Sequence, residues 1–285
     1  MDANLVKRIA FAAVAIPAAF ALVWLGGTPL AALVALIAAL GTRELYGLAE
    51  RGQIRPLQLW GMLSAAAVPL AVFHGMREGP PDAPAVGWVA AGLWVIATLA
   101  LVLFTRAPGD RPLEAAAVTL LGVAYTGGLP SALLVIRDAY PDRDPDGIWL
   151  VFLPLVVTWV VDTAAMFGGR AMKGPKLWPA ISPGKTWSGG IAGAAAGLVL
   201  TPVLVSLTLE PLGITLPLWQ SLLFGLLLGV VGQVGDLAES LFKREAGVKD
   251  SSALIPGHGG VLDRFDSLYF VMPCAYALYR AFEVM

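Results

Sequence analysis

The sequence predicts an all-α integral membrane protein that crosses the bilayer about nine times. Of its 285 residues, 58% are hydrophobic and only 14% are charged, and the mean hydropathy is +0.75. Soluble domains have about a quarter charged residues. Long apolar runs recur along the whole chain, each near the roughly 20 residues that a helix needs to cross a bilayer. These observations predict one polytopic domain over residues 1–285.

The apolar runs define nine candidate spans: 8–26, 29–49, 57–75, 85–104, 113–136, 147–168, 187–209, 217–240 and 261–282. The first run follows Lys7 and Arg8 and resembles a secretory signal, but it is long enough to span and is predicted to be a retained helix. Glycine and proline at 26–29 predict a tight turn between the first two spans. The Gly-Gly-Leu-Pro run at 127–130 predicts a kink or a broken helix within the fifth span.

Basic residues predict the orientation of the chain. With nine spans, the N-terminus and the loops after spans two, four, six and eight share one side, and that side holds most of the 19 lysines and arginines. Positive-inside bias places this side in the cytoplasm. The two polar loops that carry motifs, within residues 146–285, would therefore meet cytoplasmic nucleotides. The net charge of −1 gives no reason to expect a nucleic-acid partner.

The eighth span ends in a polar helical face. Asp236, Glu239 or Ser240, and Lys243 follow helical spacing, so their side chains share one side of the helix. Asp236 lies inside apolar surroundings, where an ionisable group by default faces a cavity, a metal or a counter-ion. The competing interpretation is a simple pairing of Asp236 with Lys243 inside the bundle.

The 8/9 loop (residues 241–260) leads into a second acidic group. His258-Gly259-Gly260 permits close backbone approach to a ligand, a property that suits phosphate binding. Asp263 and Asp266 are three residues apart at the start of a helix, so both carboxylates project the same way. Mg²⁺ is commonly held by one or two carboxylates together with phosphate oxygens. Plain capping of the helix N-terminus is the competing interpretation for these carboxylates.

Cations surround these acids. The four that lie closest in sequence are Lys243, Arg244, Lys249 and Arg264. Each of them alone fits an interfacial anchor, but four within one short segment fit a triphosphate better. His258, between glycines, is suited to donate to a phosphate.

The 6/7 loop (residues 169–186) carries a second polar motif. Ser182-Pro-Gly-Lys185-Thr is not a Walker A loop because the glycine spacing is absent. The loop does place hydroxyls and cations before a predicted helix N-terminus, which favours anion binding. Asp162 lies inside the preceding span, and two interpretations of it remain. It belongs to the site, or it is a buried carboxyl that accepts hydrogen bonds from Thr158 or a backbone donor.

With these residues in view, the chain resembles the phosphatidate cytidylyltransferase family, the CDP-diacylglycerol synthases. The matching positions of the main signature are Ser240, Lys243, Arg244, Lys249, Asp250, Pro256, His258, Gly259, Gly260, Asp263, Arg264 and Asp266. Residues 162–187 are similar to a second family motif, and Glu44-x-Tyr46 matches in the second span. The chain departs from the family at Gly184, where lysine is frequent, which removes one cation from the 6/7 loop.

The resemblance implies transfer of the cytidylyl group of CTP to phosphatidic acid, with release of pyrophosphate. It implies Asp236, Asp263 and Asp266 as a Mg²⁺ site with a second cation such as K⁺, and Lys243 as a further catalytic group. The implied substrate-binding residues are Ser182, Lys185, Ser240, Arg244, Lys249, His258, Gly259, Gly260 and Arg264. It also implies a homodimer, and the predicted location is the inner (plasma) membrane of the cell, with the active site facing the cytoplasm.

Two other function classes remain open on sequence alone. A CTP-dependent polyprenol kinase or a CDP-archaeol-type synthase would use similar residue types. An organic-anion transporter is less consistent with the pattern, because transporters usually place their broken helices and charges near the bilayer midplane.

Overall fold

The computed structural model describes residues 13–14, 17–80, 82–140, 144–255, 257 and 259–285. Residues 17–25 are helical, and the rest of the predicted first span lies mostly outside these ranges. The helices that follow are α1 Gly27–Arg51, α2 Gln58–Glu78, α3 Ala83–Thr105, α4 Pro112–Gly122, α5 Ala132–Arg137, α6 Asp144–Met172, α7 Trp187–Thr208, α8 Leu218–Glu245 and α9 Leu262–Ala281. Two short strands, β1 Lys176–Trp178 and β2 Ser182–Thr186, precede α7. The prediction of an all-α polytopic protein is confirmed.

Seven helical stretches among the described residues are long and apolar enough to cross a membrane. They are Gly27–Arg51, Gln58–Glu78, Ala85–Thr105, Pro112–Arg137, Asp146–Met172, Trp187–Leu212 and Leu218–Glu245. Helix α9 occupies the ninth predicted span but is not one of the seven, since it carries Asp263, Arg264, Asp266 and Arg280. The total of nine spans and the side on which the N-terminus lies stay predictions.

The predicted irregularities are present. Gly26 and Gly27 both have positive φ angles, of 59° and 56°, where the preceding helix ends and α1 begins. The fifth span is interrupted between α4 and α5 by a π-helical turn, Val123–Gly128, and a 3₁₀ turn, Leu129–Ser131. The irregular turns lie at the Gly-Gly-Leu-Pro run, where the sequence predicts a kink or a broken helix.

The chain divides into two compact units, and helix α9 contributes to both. The first unit comprises Met1–Val135 and Glu245–Arg264, and the second comprises Ile136–Arg244 and Phe265–Met285. The predicted single domain over residues 1–285, with its catalytic motifs in 146–285, stays a prediction.

In the first unit, Tyr46 fixes helix α1. Its side chain is fully buried, and its hydroxyl donates to the Thr119 carbonyl at 2.8 Å. A Cβ atom at Gly61 or Gly122 would lie 2.0 or 2.3 Å from the Tyr46 ring system, so both glycines leave the space that the ring fills. Because α2 and α4 both hold this ring, the other side chains of α1 are presented at fixed positions.

In the second unit, a column of small residues brings three helices together. Gly189, Gly193 and Gly197 recur at four-residue intervals on α7, and a Cβ at Gly193 would lie 3.0 Å from the Val161 carbonyl oxygen of α6. On α8, a Cβ at Gly225 would lie 2.1 Å from the Gly197 carbonyl oxygen. Small residues permit such close approach in membrane helices. Helix α7 therefore packs closely against both α6 and α8, and α6 also approaches α8, since a Cβ at Gly229 would lie 3.3 Å from the Val161 side chain.

The 6/7 loop folds as an antiparallel hairpin that leads directly into α7. Lys176 pairs with Thr186 across the two strands. Thr186 is the N-cap of α7, and its side chain accepts a hydrogen bond from the Gly189 N–H at 3.1 Å. The predicted helix start behind the Ser-Pro-Gly-Lys-Thr run is thus confirmed, and the cap fixes Lys185 beside the helix N-terminus.

Candidate functional site

A cavity of about 820 Å³ opens in the second unit between α6, the hairpin, α7 and α8. Its basic lining side chains are Arg170, Lys173, Lys176 and Lys185, and its acidic ones are Asp162 and Asp236. Opposite charges on different walls can hold an anionic ligand and a cation together. The two acids are 74 positions apart in the sequence, and the folding of the hairpin and helices brings them and the cations to one space.

Asp236 is held by two partners in this cavity. One carboxylate oxygen, Oδ2, lies 2.7 Å from the Lys185 ammonium nitrogen, and the other, Oδ1, accepts a hydrogen bond from Ser240 at 3.3 Å. The contact with Ser240, one turn further along α8, confirms that these residues share a helical face. The cation that pairs with Asp236 comes from the hairpin, whereas the competing interpretation from sequence assigns Lys243.

Lys243 forms an ion pair with Glu239 instead. Both residues lie on α8 one turn apart, and they are 8% and 0% exposed. Buried charges are rarely retained without a partner, because each would otherwise lose its hydration uncompensated. The ammonium group also attracts the carboxylate of Asp266. Lys243 is therefore a buried cation that forms an ion pair with Glu239 and attracts the carboxylate of Asp266.

Asp266 joins the acidic group from α9. Its carboxylate accepts the Ser267 N–H at 2.6 Å and interacts electrostatically with Asp236 and Asp162. The backbone of α9 approaches α8 closely here, since a Cβ at Gly235 would lie 2.7 Å from the Asp266 carbonyl oxygen. Three carboxylates, Asp162, Asp236 and Asp266, thus act on one another in the second unit.

These carboxylates have the chemistry of a divalent-cation site. Magnesium takes oxygen ligands and is usually held by one or two carboxylates, with water and substrate phosphates completing its coordination. Asp236 repels both Asp162 and Asp266, and this repulsion is offset in part by Lys185 at Asp162 and by Lys243 at Asp266. Over the residues that the structure describes, no three acidic, histidine or cysteine side chains are grouped so that they could hold a metal ion.

A second polar group lies in the first unit, around Glu44 of α1. The Glu44 carboxylate is 6% exposed and accepts four hydrogen bonds. The donors are the hydroxyls of Ser251 and Ser252, at 2.8 and 2.7 Å, and the N–H groups of Val261 and Leu262, at 3.0 and 2.8 Å. Helix α1 thereby holds the 8/9 loop and the first residues of α9.

Asp263 belongs to this second group. One oxygen, Oδ2, accepts the N–H groups of Ser251 and Gly260, at 2.8 and 2.7 Å, and lies 2.8 Å from the Ser251 hydroxyl. Both N–H donors lie before α9, so these bonds tie Asp263 to the 8/9 loop and do not cap the first turn of the helix. They engage one carboxylate oxygen, and the metal role of Asp263 stays a prediction.

The two described glycines of the 8/9 loop beside Asp263 make room for these acids. Gly259 has a φ angle of 82°, and a Cβ there would lie 2.7 Å from the Asp263 Oδ2 atom. A Cβ at Gly260 would lie 2.1 Å from the Ser251 hydroxyl oxygen and 2.2 Å from the Glu44 Oε2 atom. Close packing around the two carboxylates therefore requires glycine at both positions, whether or not a ligand also contacts this backbone.

Lys249 and Arg264 line a separate polar cavity of about 700 Å³ in the first unit, together with Asp250, Ser252 and Gly259. Both cationic side chains are exposed. A polar cavity with two exposed cations can take phosphate oxygens. His258, predicted beside them, lies outside the described residues.

The remaining predicted residues belong to the second unit. Arg244 donates from Nε to the Ile181 carbonyl at 3.0 Å, which ties the end of α8 to the hairpin. Ser182 begins strand β2, three residues before Lys185. Arg244 therefore has a structural contact on the hairpin, and the phosphate-binding roles of both residues stay predictions.

Sequence reasoning assigned no specific role to several groups that the structure places in these sites. Glu239 was placed only on the polar face of α8, and Glu44 only in a motif match, but both are buried acids in apolar helices, and a charge at that depth signals a role. Lys173 and Lys176 belong to the 6/7 loop that the sequence predicts to bind an anion, but neither they nor Arg170 was singled out, and all three line the larger cavity. Nothing local in their sequence separates a cavity-lining cation from one that faces water.

Comparison with known proteins shows one family. The profile of the Cytidylyltransferase family matches residues 6–282. A phosphatidate cytidylyltransferase of Brucella suis is 42% identical over 175 residues, which cover 61% of this chain and 60% of the relative. One of Staphylococcus haemolyticus is 34% identical over 253 residues, covering 87% of this chain and 89% of the relative. The chain thus matches 60% of the length of the Brucella protein and most of the staphylococcal one.

Proposed function

The chain belongs to the cytidylyltransferase family, and on this basis we propose that it is a phosphatidate cytidylyltransferase. It would convert CTP and phosphatidic acid to CDP-diacylglycerol and pyrophosphate, as the names of its relatives indicate for those proteins. One observation carries the proposal beyond the family. The larger cavity sets four cations, which suit a triphosphate, beside two carboxylates, which suit its metal.

The reaction needs positioning more than a protein nucleophile. A phosphate oxygen of phosphatidic acid forms the new bond to the α-phosphorus of CTP, the bond from that phosphorus to the bridging oxygen breaks, and pyrophosphate leaves with those electrons. Lys173, Lys176 and Lys185 bind phosphate oxygens in this proposal, and they offset the charge that develops on the leaving group.

Asp236 and Asp266 would hold Mg²⁺, with Asp263 as the further predicted ligand. When bound, Mg²⁺ neutralises phosphate charge and orients the oxygens that react. Lys185 keeps Asp236 in place before ligands arrive, and Lys243, paired with Glu239, balances Asp266. A second cation such as K⁺ is proposed on the resemblance alone.

The proposal also includes location and assembly. The site would face the cytoplasm, because CTP is there and most basic loops are predicted on that side. The apolar helices would keep phosphatidic acid in the plasma membrane beside the site. A homodimer is proposed from the resemblance, and sizing of the protein in detergent or nanodiscs tests it.

Transfer of two differently labelled forms of CTP tests the function. The purified chain in vesicles that contain phosphatidic acid receives CTP labelled at the α- or the γ-phosphorus. We expect the α label in the lipid product and the γ label in pyrophosphate, both dependent on Mg²⁺. A lipid kinase would instead move the γ label to a polyprenol and release CDP.

Two further arms of the experiment test for an archaeol-type synthase and for a transporter. Preference for an unsaturated ether-linked phosphatidate over the ester lipid would indicate a CDP-archaeol-type synthase. Uptake of CTP or another organic anion into vesicles without consumption of CTP would indicate a transporter. Either result would contradict the proposal.

A further inference from the structure

The strongest unassigned feature of the chain is the hydrogen bonding of Glu44, which reaches across more than 200 residues of sequence. Glu44 Oε1 accepts from the Ser252 hydroxyl and the Val261 N–H, and Oε2 accepts from the Ser251 hydroxyl and the Leu262 N–H. All four donors are neutral, and the side chain is almost completely buried.

Backbone N–H groups bind both oxygens of Glu44, Val261 on Oε1 and Leu262 on Oε2, and a backbone N–H can only donate. The Val261 and Leu262 N–H groups lie at the start of α9, where backbone N–H groups are unpaired within the helix and the helix dipole favours a negative charge. Glu44, on helix α1, therefore accepts hydrogen bonds from backbone N–H groups that have no partner within α9.

The same contacts connect Glu44 to Asp263. The Ser251 hydroxyl lies 2.8 Å from Glu44 Oε2 and 2.8 Å from Asp263 Oδ2. Gly260, between them, has no space for a Cβ atom against Glu44 and Ser251. A displacement of the Glu44 carboxylate would therefore move Ser251 and Gly260, both of which donate hydrogen bonds to Asp263.

We propose that Glu44 is a positioning residue for the catalytic reaction, a role that rests on the proposed function. Its carboxylate holds the segment 249–264 in the conformation that presents Asp263, Gly259 and the cations Lys249 and Arg264 to the ligand. Glu44 does not touch the reacting atoms in this proposal. It acts through Ser251 and the backbone of residues 260–262.

Replacement by glutamine is the sharpest test, because it keeps the shape and removes one acceptor. The amide nitrogen of glutamine would face either the Val261 or the Leu262 N–H, and two donors cannot bond to each other. The hydroxyls of Ser251 and Ser252 can rotate, but a backbone N–H cannot. Glu44→Gln therefore leaves one buried N–H unpaired at the start of α9 and loosens the segment.

The experiment compares Glu44→Gln with Glu50→Gln in the full chain, in nanodiscs. Glu50 lies on the same helix and is exposed, with the Gln58 side chain donating to it. We expect Glu44→Gln to accelerate amide hydrogen exchange in residues 249–264 and to raise the KM for CTP about tenfold, as expected for a displaced substrate-binding segment. Glu50→Gln should behave as the unsubstituted chain. Glu44→Asp keeps the charge and should recover part of the loss.

Several outcomes would overturn the proposal. Unchanged exchange in 249–264 would show that Glu44 does not hold the segment, and faster exchange through α1 and α2 as well would show a general structural role. Faster exchange confined to 249–264, with unchanged KM and kcat, would show that the segment does not serve turnover. If Glu44→Gln fails to fold, Glu44→Asp and Ser252→Ala receive the same measurements and decide between the same outcomes.

Failure of the proposed function is distinguishable from failure of this inference. If the unsubstituted chain releases no pyrophosphate from CTP and phosphatidic acid, the proposed function is wrong. The exchange comparison still reports whether Glu44 orders residues 249–264, since it needs no turnover.

Discussion

The Lys185 ammonium lies 2.7 Å from the Asp236 carboxylate, so the hairpin meets α8 through a pair of opposite charges. Their side chains are 25% and 34% exposed, which leaves both open to the cavity. A phosphate could replace Asp236 as the partner of Lys185, and a divalent cation could replace Lys185 as the partner of Asp236. Arrival of a metal-bound nucleotide would exchange the partners of both without leaving either charge unpaired.

We expect Lys185→Gln to raise the KM for CTP by about tenfold, because one charge-assisted phosphate contact is lost. Lys185→Arg keeps the charge and should lose less. Steady-state kinetics of pyrophosphate release against CTP concentration measure both variants. If Lys185→Gln has the same KM for CTP as the unsubstituted chain, Lys185 does not bind the nucleotide.

We expect Asp266→Asn to lower turnover by at least about a hundredfold, as for loss of a group that stabilises charge in the transition state. Without metal, the same change should raise the midpoint of thermal unfolding, since it removes repulsion with Asp236 and Asp162. The control is Asp82→Asn, at an exposed position before α3. Turnover and unfolding in EDTA check the two effects, and full activity of Asp266→Asn would contradict the metal assignment.

Removal of divalent cations should abolish pyrophosphate release, and added Mg²⁺ should restore it. The physical reason is that carboxylates and phosphates would otherwise repel each other in the cavity. The assay is run after dialysis against EDTA, with and without KCl to test the second cation. Turnover that persists without any divalent cation would exclude Mg²⁺ from the mechanism.

Gly225→Ala should destabilise the second unit by roughly 1–3 kcal/mol, because the added methyl meets a backbone atom that cannot move aside. That atom is the Gly197 carbonyl oxygen, 2.1 Å from the Cβ position. Gly92→Ala, in α3, meets nothing within 4 Å and serves as the control. Thermal unfolding in detergent compares them, and equal midpoints would argue against close packing of α7 and α8.

The helices and their irregularities were predictable because local sequence determines them. Apolar length sets a span, and glycine and proline mark its breaks, as at 26–29 and 127–130. Helices α6 and α8 continue to Met172 and Glu245, a few residues past their predicted ends. Hydropathy marks only the apolar part of a helix. The helix itself continues into polar residues until a helix-breaking residue or a turn ends it.

The partners of the site residues were less predictable because tertiary packing chooses them. Spacing on one helix placed Asp236 near Lys243, but the hairpin brings Lys185 to Asp236 and leaves Lys243 to Glu239. Likewise, nothing near Glu44 in sequence indicates that Ser251 and Leu262 bind it. Two signals for such residues were available in the sequence, namely a charge deep inside a span and, for Glu44, the match of Glu44-x-Tyr46 to the family.

The spacing of glycines on α7 has a consequence for how this chain can vary in length. Each inserted or deleted residue turns the rest of an α-helix by about 100°. A single deletion between Gly189 and Gly197 would therefore point one part of the column at lipid and put bulky side chains against α6 or α8. Homologues should thus differ in length at the loops flanking α7 and keep its interior free of gaps.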